Sequence, residues 1–250
     1  MPQKLSVVLI TRNAASTIAQ SLESVQSLAN EIVVVDDNST DQTRSIAARF
    51  EATVVSHHEP NLGKQKNFAV SQATNKWVLV LDSDEIVTPQ LAEELSNLLQ
   101  KPTKDAYYIR FQTHLFGKPL HYGGEYYEKL VFFDRSKVSI QPASVHEAFL
   151  PVTQSVGKTK NKIAHYSYRT ILQMYKKFTD YALKDAESKF RTGEKANLKN
   201  IFLYPPHMFW ARFITDQGYK DGFARIILDL GFAYMEFLTY FKLLMIQLFK

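Results

Sequence analysis

The front of the chain places its apolar residues in short unbroken runs, and the back spaces them at helical intervals. Four runs stand out: LSVVLIT from Leu5, EIVVVDD from Glu31, ATVVSH from Ala52 and WVLVLDSDE from Trp77. Each is rich in β-branched residues and ends in polar ones, which predicts a buried strand. Between the first two, Ile18, Leu22, Val25 and Leu28 recur at helical spacing. Helices are predicted over residues 13–27, 40–50 and 64–74. Strands alternating with helices predict an α/β fold with a doubly wound, mostly parallel sheet.

Ligands of such sheets sit outside the carboxyl ends of the strands. The informative residues are therefore Thr11, Arg12 and Asn13, then Asp36 and Asp37, then His57 and His58, then Asp82, Ser83, Asp84 and Glu85. Asp82, Asp84 and Glu85 crowd at one strand end, where one acid would suffice to turn the chain or cap a helix. Their mutual repulsion is costly unless a cation neutralises it. Hard carboxylates suit Mg²⁺ or Mn²⁺, whose other positions are filled by phosphate oxygens and water. Lys64 and Lys66, in NLGKQKN before a helix, are placed to approach the same phosphates. Neither GxGxxG nor GxxxxGK[ST] is present, so dinucleotide and P-loop chemistry are not indicated.

The chain has 250 residues, 45% of them apolar, enough for a substantial core. Without cysteine it has no disulfide, thiolate nucleophile or Cys-based zinc site. The apolar run near the N-terminus is too short for a signal peptide, so a cytoplasmic location is expected. Charge is uneven. Residues 1 to 100 carry seven Lys and Arg against twelve Asp and Glu, and the remainder 23 against 13. A basic back half suits a solvated face, nucleic acid or an anionic membrane.

Taken together, SVVLITRNAASTIAQSLESV, EIVVVDDNSTDQT, NLGKQKNFAVSQATNKWVLVLDSDE, SVHE and GYKDGFARIILDLGFAYMEF resemble the family 2 glycosyltransferases of GT-A fold. Their order is most similar to the bacterial branch that adds sugars, glucose in particular, to heptose of the lipopolysaccharide core. The resemblance implies an inverting, metal-dependent hexosyltransferase using UDP-glucose or another UDP-sugar, with Mg²⁺ or Mn²⁺ as cofactor. Thr11, Asn13, Asp36 and Asp37 match positions that hold the nucleotide's base and ribose. Lys64, Lys66 and Asn67 fall near the base or diphosphate. Asp82, Ser83 and Asp84 match the DxD motif, with Asp84 the metal contact and Asp82 close to the donor and metal. His165 corresponds to a further metal or phosphate contact. Glu147 matches the acidic position expected for the general base, with His146 assisting; Glu125 and Asp134 are rival bases.

The same resemblance implies a division into a nucleotide-sugar half (1–105), an acceptor half with the base (106–165) and a helical region (166–250). The implied partners are a nucleotide-sugar donor and a lipid-linked oligosaccharide acceptor, with no nucleic acid. Tyr122, Tyr126 and Tyr127 are candidates to stack on acceptor sugars. In the back half, Ile171, Tyr175, Phe178, Tyr181, Ala182 and Phe190 predict an amphipathic helix. Pro205 and Pro206 predict a break between helices. From Phe223 onward, Arg225, Asp229, Glu236 and Lys242 leave no run of about 18 uncharged residues, so a membrane span is not expected. Arg225, Asp229 and Glu236 share one helical face, and the broad apolar remainder suits packing, a peripheral contact with the cytoplasmic face of the membrane, or self-association.

Two other functions fit parts of this pattern. A nucleotidyltransferase making an activated sugar would use a similar sheet but normally has a glycine-rich loop where this chain has TRNAAS. A receiver module would carry an acidic pair and a phosphate-accepting Asp82, but its acidic pair belongs on the first strand, whereas here a strand and helix precede it.

Overall fold

The computed structural model describes residues 2–142 and 148–249. Contacts divide the chain into two compact units, residues 1–111 with 127–165, and residues 112–126 with 166–250.

The first three strands and their helices are β1 (Leu5–Thr11), α1 (Ile18–Glu23), β2 (Glu31–Asp36), α2 (Thr43–Ala48), β3 (Thr53–Ser56) and α3 (Leu62–Gln72). Next come β4 (Trp77–Asp82), β5 (Glu85–Val87), α4 (Pro89–Gln100), β6 (Ala106–Leu115), β7 (Lys118–Pro119) and β8 (Tyr126–Asp134). They are followed by β9 (Val138–Ile140), β10 (Phe149–Pro151) and β11 (Val156–Tyr168). The main sheet has the order β3-β2-β1-β4-β8-β6-β11-β5, with β7 paired to β6.

All four predicted strands form, and β1 pairs in parallel with both β2 and β4. The apolar side chains of β1, β2 and β4, Val7, Val8, Leu9, Val33, Val34, Leu79 and Leu81 among them, are buried, whereas β3, expected to be buried, is the edge strand and has no fully buried residue. A parallel sheet covered on both faces needs such unbroken runs. The register sets Thr11 beside Asp36, and Ile10 beside Asp82. Three strands therefore end at one level, and their terminal polar residues gather there. Beyond β4 the sheet changes direction: β8 pairs antiparallel with β4, and β11 antiparallel with β5.

The first two helices are shorter than predicted. Asn13 takes a left-handed backbone, φ 50°, and the amides of Asn13, Ala14 and Ala15 donate to Ser39, Thr43 and Asp41. Side-chain acceptors thus claim the amides that would have opened α1, and they fix the loop after β1 against the loop after β2. His165 lies within β11.

The second unit holds α5 (Ile171–Arg191), α6 (Leu198–Trp210) and α7 (Ala224–Phe249). Met174, Phe178, Ala182 and Ala186 form the buried face of α5, so Ile171 and Phe190, expected there, are exposed. The two prolines do not divide helices. An Asn197–Asn200 capping box starts α6 seven residues upstream, and Pro205 and Pro206 lie inside it. A π-helical turn, Ala211–Thr215, follows α6.

By length and composition α7 is long and apolar enough to cross a membrane, contrary to the expectation from its charges. Two of those charges are interior. Arg225 and Asp229 have no exposed surface. The Arg225 guanidinium donates to Asp229 at 2.8 Å and to the carbonyls of Gly123 and Tyr122 at 2.8 and 3.1 Å. Arg212 pairs with Glu125 and with Asp229, and its guanidinium lies 3.6 Å from the Phe232 ring centroid. Gly123 is required here, since its φ is +68° and a Cβ would fall 2.0 Å from Arg225.

Removing one member of a buried charge network leaves its partners uncompensated. Arg225→Ala is expected to lower stability by about 3–5 kcal/mol, measured by urea unfolding followed through Trp210 in the same unit. A loss below about 1 kcal/mol would show that the network contributes no more than a surface pair.

Candidate active site

The acidic turn after β4 is built from both sides. Glu85 is turned inward at the start of β5, 2% exposed, and its Oε2 accepts the Asp82 amide at 2.8 Å. It braces the turn and does not project into the crevice with Asp82 and Asp84, as the sequence suggested. Ser21 Oγ donates to the Ser83 carbonyl at 3.0 Å, fixing the turn from the α1 side.

Lys66 is buried on α3 and places its Nζ 3.0 Å from Asp82 Oδ1. Burial pushes the Asp82 carboxyl up, but Lys66 and Lys129 outweigh it and hold the group below the ordinary aspartate range. The reverse holds at Glu85, where burial and the neighbouring Asp82 charge push the carboxyl up. Two adjacent acids are thereby driven apart in acidity: Asp82 ionised, Glu85 favouring its proton.

Asp84 has a different neighbour. The antiparallel register of β11 on β5 sets His165 beside Glu85 and brings His165 Nε2 to 3.5 Å from Asp84 Oδ2. The other ring nitrogen, Nδ1, lies 2.9 Å from the Tyr127 hydroxyl. Tyr127 itself stacks on Phe111, with ring centroids 5.3 Å apart. It therefore orients His165, a role that its expected place among sugar-stacking tyrosines did not anticipate. Tyr122 and Tyr126 are exposed.

Across β1, Thr11 Oγ1 and Asp36 Oδ1 are buried without a hydrogen-bond partner. The other Asp36 oxygen is held by Arg44 at 2.9 Å and by the Ser39 amide at 3.0 Å. Two unsatisfied polar atoms at adjacent strand ends are sites for ligand groups. At the rim, Asp37 lies 2.5 Å from His58 Nδ1 and 3.5 Å from Arg12. His57 is turned away, stacked on Phe68 with centroids 3.7 Å apart.

Asn13 Oδ1 accepts the Thr40 amide, joining the two loops. Asn67 Nδ2 donates to the Ile140 carbonyl at 2.7 Å, so it ties α3 to β9. Lys64 is exposed in the first turn of α3, its amide capped by Asn61. Asp82, Asp84, His165, Lys66, Thr11 and Asp36 thus line the strand ends, whereas Asn13 and Asn67 hold their framework.

Among the described residues no three His, Asp or Glu side chains form a ready ligand set for a metal. Asp84 and His165 offer one oxygen and one nitrogen, with Asp82 next to them. That donor set fits Mg²⁺ or Mn²⁺ only as an open site completed by phosphate oxygens and water.

Of the candidate bases, Glu147 and His146 lie outside the described residues. Glu125 is 6% exposed and committed to Arg212; burial pushes its carboxyl up against the pull of both guanidiniums. Asp134 is 2% exposed, accepts from the Ser136 amide and hydroxyl, and meets Lys76 at 3.1 Å. Burial raises its carboxyl, but the Ser136 hydrogen bonds and Lys76 outweigh this and hold it below the ordinary aspartate range. Neither rival is free to take a substrate's proton.

A lowered carboxyl stabilises the fold above the ordinary aspartate range, and that contribution is lost as pH falls through the lowered value. Asp134→Asn is therefore expected to cost about 1.5 kcal/mol at neutral pH. In urea unfolding the gap from the parent protein should close as pH falls below the ordinary aspartate range. Catalytic activity should persist in the variant, and its complete loss would reinstate Asp134 as the base.

Residues 6–144 match the family model described as Glycosyl transferase family 2. An uncharacterized glycosyltransferase of Rickettsia felis is 30% identical over 260 residues, covering 96% of this chain and 89% of that protein. The lipopolysaccharide core biosynthesis glycosyltransferase LpsC of Rhizobium meliloti is 23% identical over 248 residues, covering 96% and 91%. Among solved structures, glucosyl-3-phosphoglycerate synthase from Mycobacterium tuberculosis, in complex with Mn²⁺, UDP and glucosyl-3-phosphoglycerate, is 19% identical with a TM-score of 0.45, covering 65% of this chain and 72% of that one. With its family model matched over more than half its length, the nucleotidyltransferase and receiver alternatives fall away, and the chain belongs to glycosyl transferase family 2.

Proposed function

We propose that this glycosyltransferase moves glucose from UDP-glucose to a lipid-anchored saccharide, such as inner-core heptose of lipopolysaccharide, with inversion and with a divalent cation. The observation that carries this reading is the gathering of Asp84, His165 and the Lys66-paired Asp82 at one end of the sheet. The exposed Tyr122 and Tyr126 are candidates for stacking on the acceptor. The full-length similarity to LpsC supports a lipopolysaccharide acceptor, and the basic back half suits work at the cytoplasmic face of a membrane.

Asp84 and His165, with Asp82 beside them, would hold Mg²⁺ or Mn²⁺. Bound there, the ion would compensate the charge that accumulates on the departing diphosphate. The protein's own residues do the rest. Asp36 and Thr11 offer their unpaired oxygens to the nucleoside, with Asp37 and Asn13 at the rim. Lys66 holds Asp82 ionised, and the exposed Lys64 provides a cation for phosphate. Glu147 removes the acceptor hydroxyl's proton as that oxygen attacks the anomeric carbon, and His146 orients it.

The test is UDP release from UDP-glucose in the presence of Mn²⁺ and a heptose-bearing acceptor. EDTA and Asp84→Ala should each abolish release. Glu147→Gln should retain UDP and Mn²⁺ binding while losing at least about 100-fold in rate, the usual range for a general base. Transfer at the parent rate by Glu147→Gln would refute that assignment, and transfer in EDTA would refute the metal.

Tyr127→Phe removes the hydroxyl that orients His165 but leaves the ring stack. Loss of such a supporting contact typically costs 10–100-fold in metal affinity. The Mn²⁺ concentration for half-maximal activity should accordingly rise about 10-fold at unchanged UDP-glucose affinity. An unchanged Mn²⁺ requirement would separate Tyr127 from metal capture.

A further inference from the structure

Both α6 and α7 leave large apolar side chains exposed, and α6 does so over half the length. On α6, Leu198, Phe202, Leu203 and Trp210 are 69%, 65%, 56% and 61% exposed, and Ile214 on the following turn is 39% exposed. At 100° per residue these four side chains fall within about 140° of the helix circumference, opposite the buried Asn200 and Ile201, whereas Tyr204, 37% exposed, lies on that opposite side against Tyr240. Folding normally hides a face this apolar. Left open, it marks a contact surface.

Charge indicates what covers it. From Lys195 to Thr215 the chain contains Lys195, Lys199 and Arg212 and no Asp or Glu. Lys195 and Lys199 are exposed at the start of the helix, and neither makes an ion pair among the described residues. Exposed Phe, Leu and Trp on one face, with lysines at its N-terminal end and no acid, are the composition of a helix lying in a lipid–water interface.

We propose that α6 is the membrane-docking surface of this protein, lying flat on an anionic bilayer with Phe202, Leu203 and Trp210 sunk below the headgroups and Lys195 and Lys199 on lipid phosphates. This deepens the reading of a lipid-anchored acceptor and moves the contact from the segment after Phe223 to the helix before it. Attachment and catalysis then rest on separate residues.

Two tryptophans make the test direct. Trp77 is 3% exposed in the core and Trp210 is 61% exposed, so a change of emission on adding lipid reports α6. Full-length protein is mixed with vesicles of phosphatidylcholine alone or with added phosphatidylglycerol, and the emission is read with and without brominated lipid. The vesicles contain neither donor nor acceptor, so this binding stands or falls independently of sugar transfer. The expected result is a blue shift and bromine quenching with phosphatidylglycerol vesicles, absent in Trp210→Phe. Each of Lys195→Gln and Lys199→Gln should weaken binding about five-fold, and Phe202→Ser with Leu203→Ser should abolish it while circular dichroism stays unchanged.

Three results would overturn the proposal. The first is no shift with either vesicle. The second is equal binding to phosphatidylcholine alone. The third is a blue shift that grows with protein concentration in the absence of lipid, which would make the occupant a second copy.

Discussion

Repulsion among Asp82, Asp84 and Glu85 is the constraint around which the candidate site is organised. Three ionised carboxylates in that turn would not be stable together, and the structure gives each acid a different neighbour. Glu85 is buried against the Asp82 amide, where its proton is favoured. Asp82 is paired with a buried lysine. Asp84 faces His165. The third arrangement sets a carboxylate beside an imidazole, and across the sheet Thr11 and Asp36 hold buried, unpaired oxygens at adjacent strand ends. The acids thus divide into one brace, one charge held by the fold, and one charge directed outward.

The second unit handles charge by the opposite device. Arg212, Arg225, Asp229 and Glu125 are pooled in its interior, and the guanidinium of Arg225 holds the backbone at Gly123. A glutamate that looks like a base in the string HYGGEYYEK is a structural anion, and two charges that argued against an apolar helix from Phe223 onward are spent inside. With those charges withdrawn, the unit's outer surface on α6 is left apolar, bordered by lysine.

The parallel half of the fold was legible because its signals are local. Short unbroken β-branched runs between turn residues favour strands, and the chemistry of a parallel sheet gathers at their ends. That reasoning alone locates Thr11, Asp36, Asp82 and Asp84. What remained hidden depends on pairing distant in sequence. His165 reaches Asp84 through the register of β11 on β5, and nothing near KIAHYSYR announces that register. Tyr127 reads as an aromatic among aromatics until its hydroxyl is seen at His165. Lys66 reads as a phosphate ligand, whereas its ammonium is paired with Asp82. The prolines of α6 failed as breakers because a capping box upstream had already committed the helix.

The central claim is that a divalent cation sits between Asp84, His165 and the diphosphate of a bound nucleotide. Pulsed electron paramagnetic resonance of Mn²⁺ added with UDP tests it most directly, because the spin reports the nuclei bonded to the ion. The account predicts a nitrogen coupling from one imidazole and phosphorus couplings from UDP, with the nitrogen signal lost in His165→Ala and both lost in Asp84→Ala. Manganese that binds without any phosphorus coupling, or that keeps its nitrogen coupling when His165 is replaced, would contradict it.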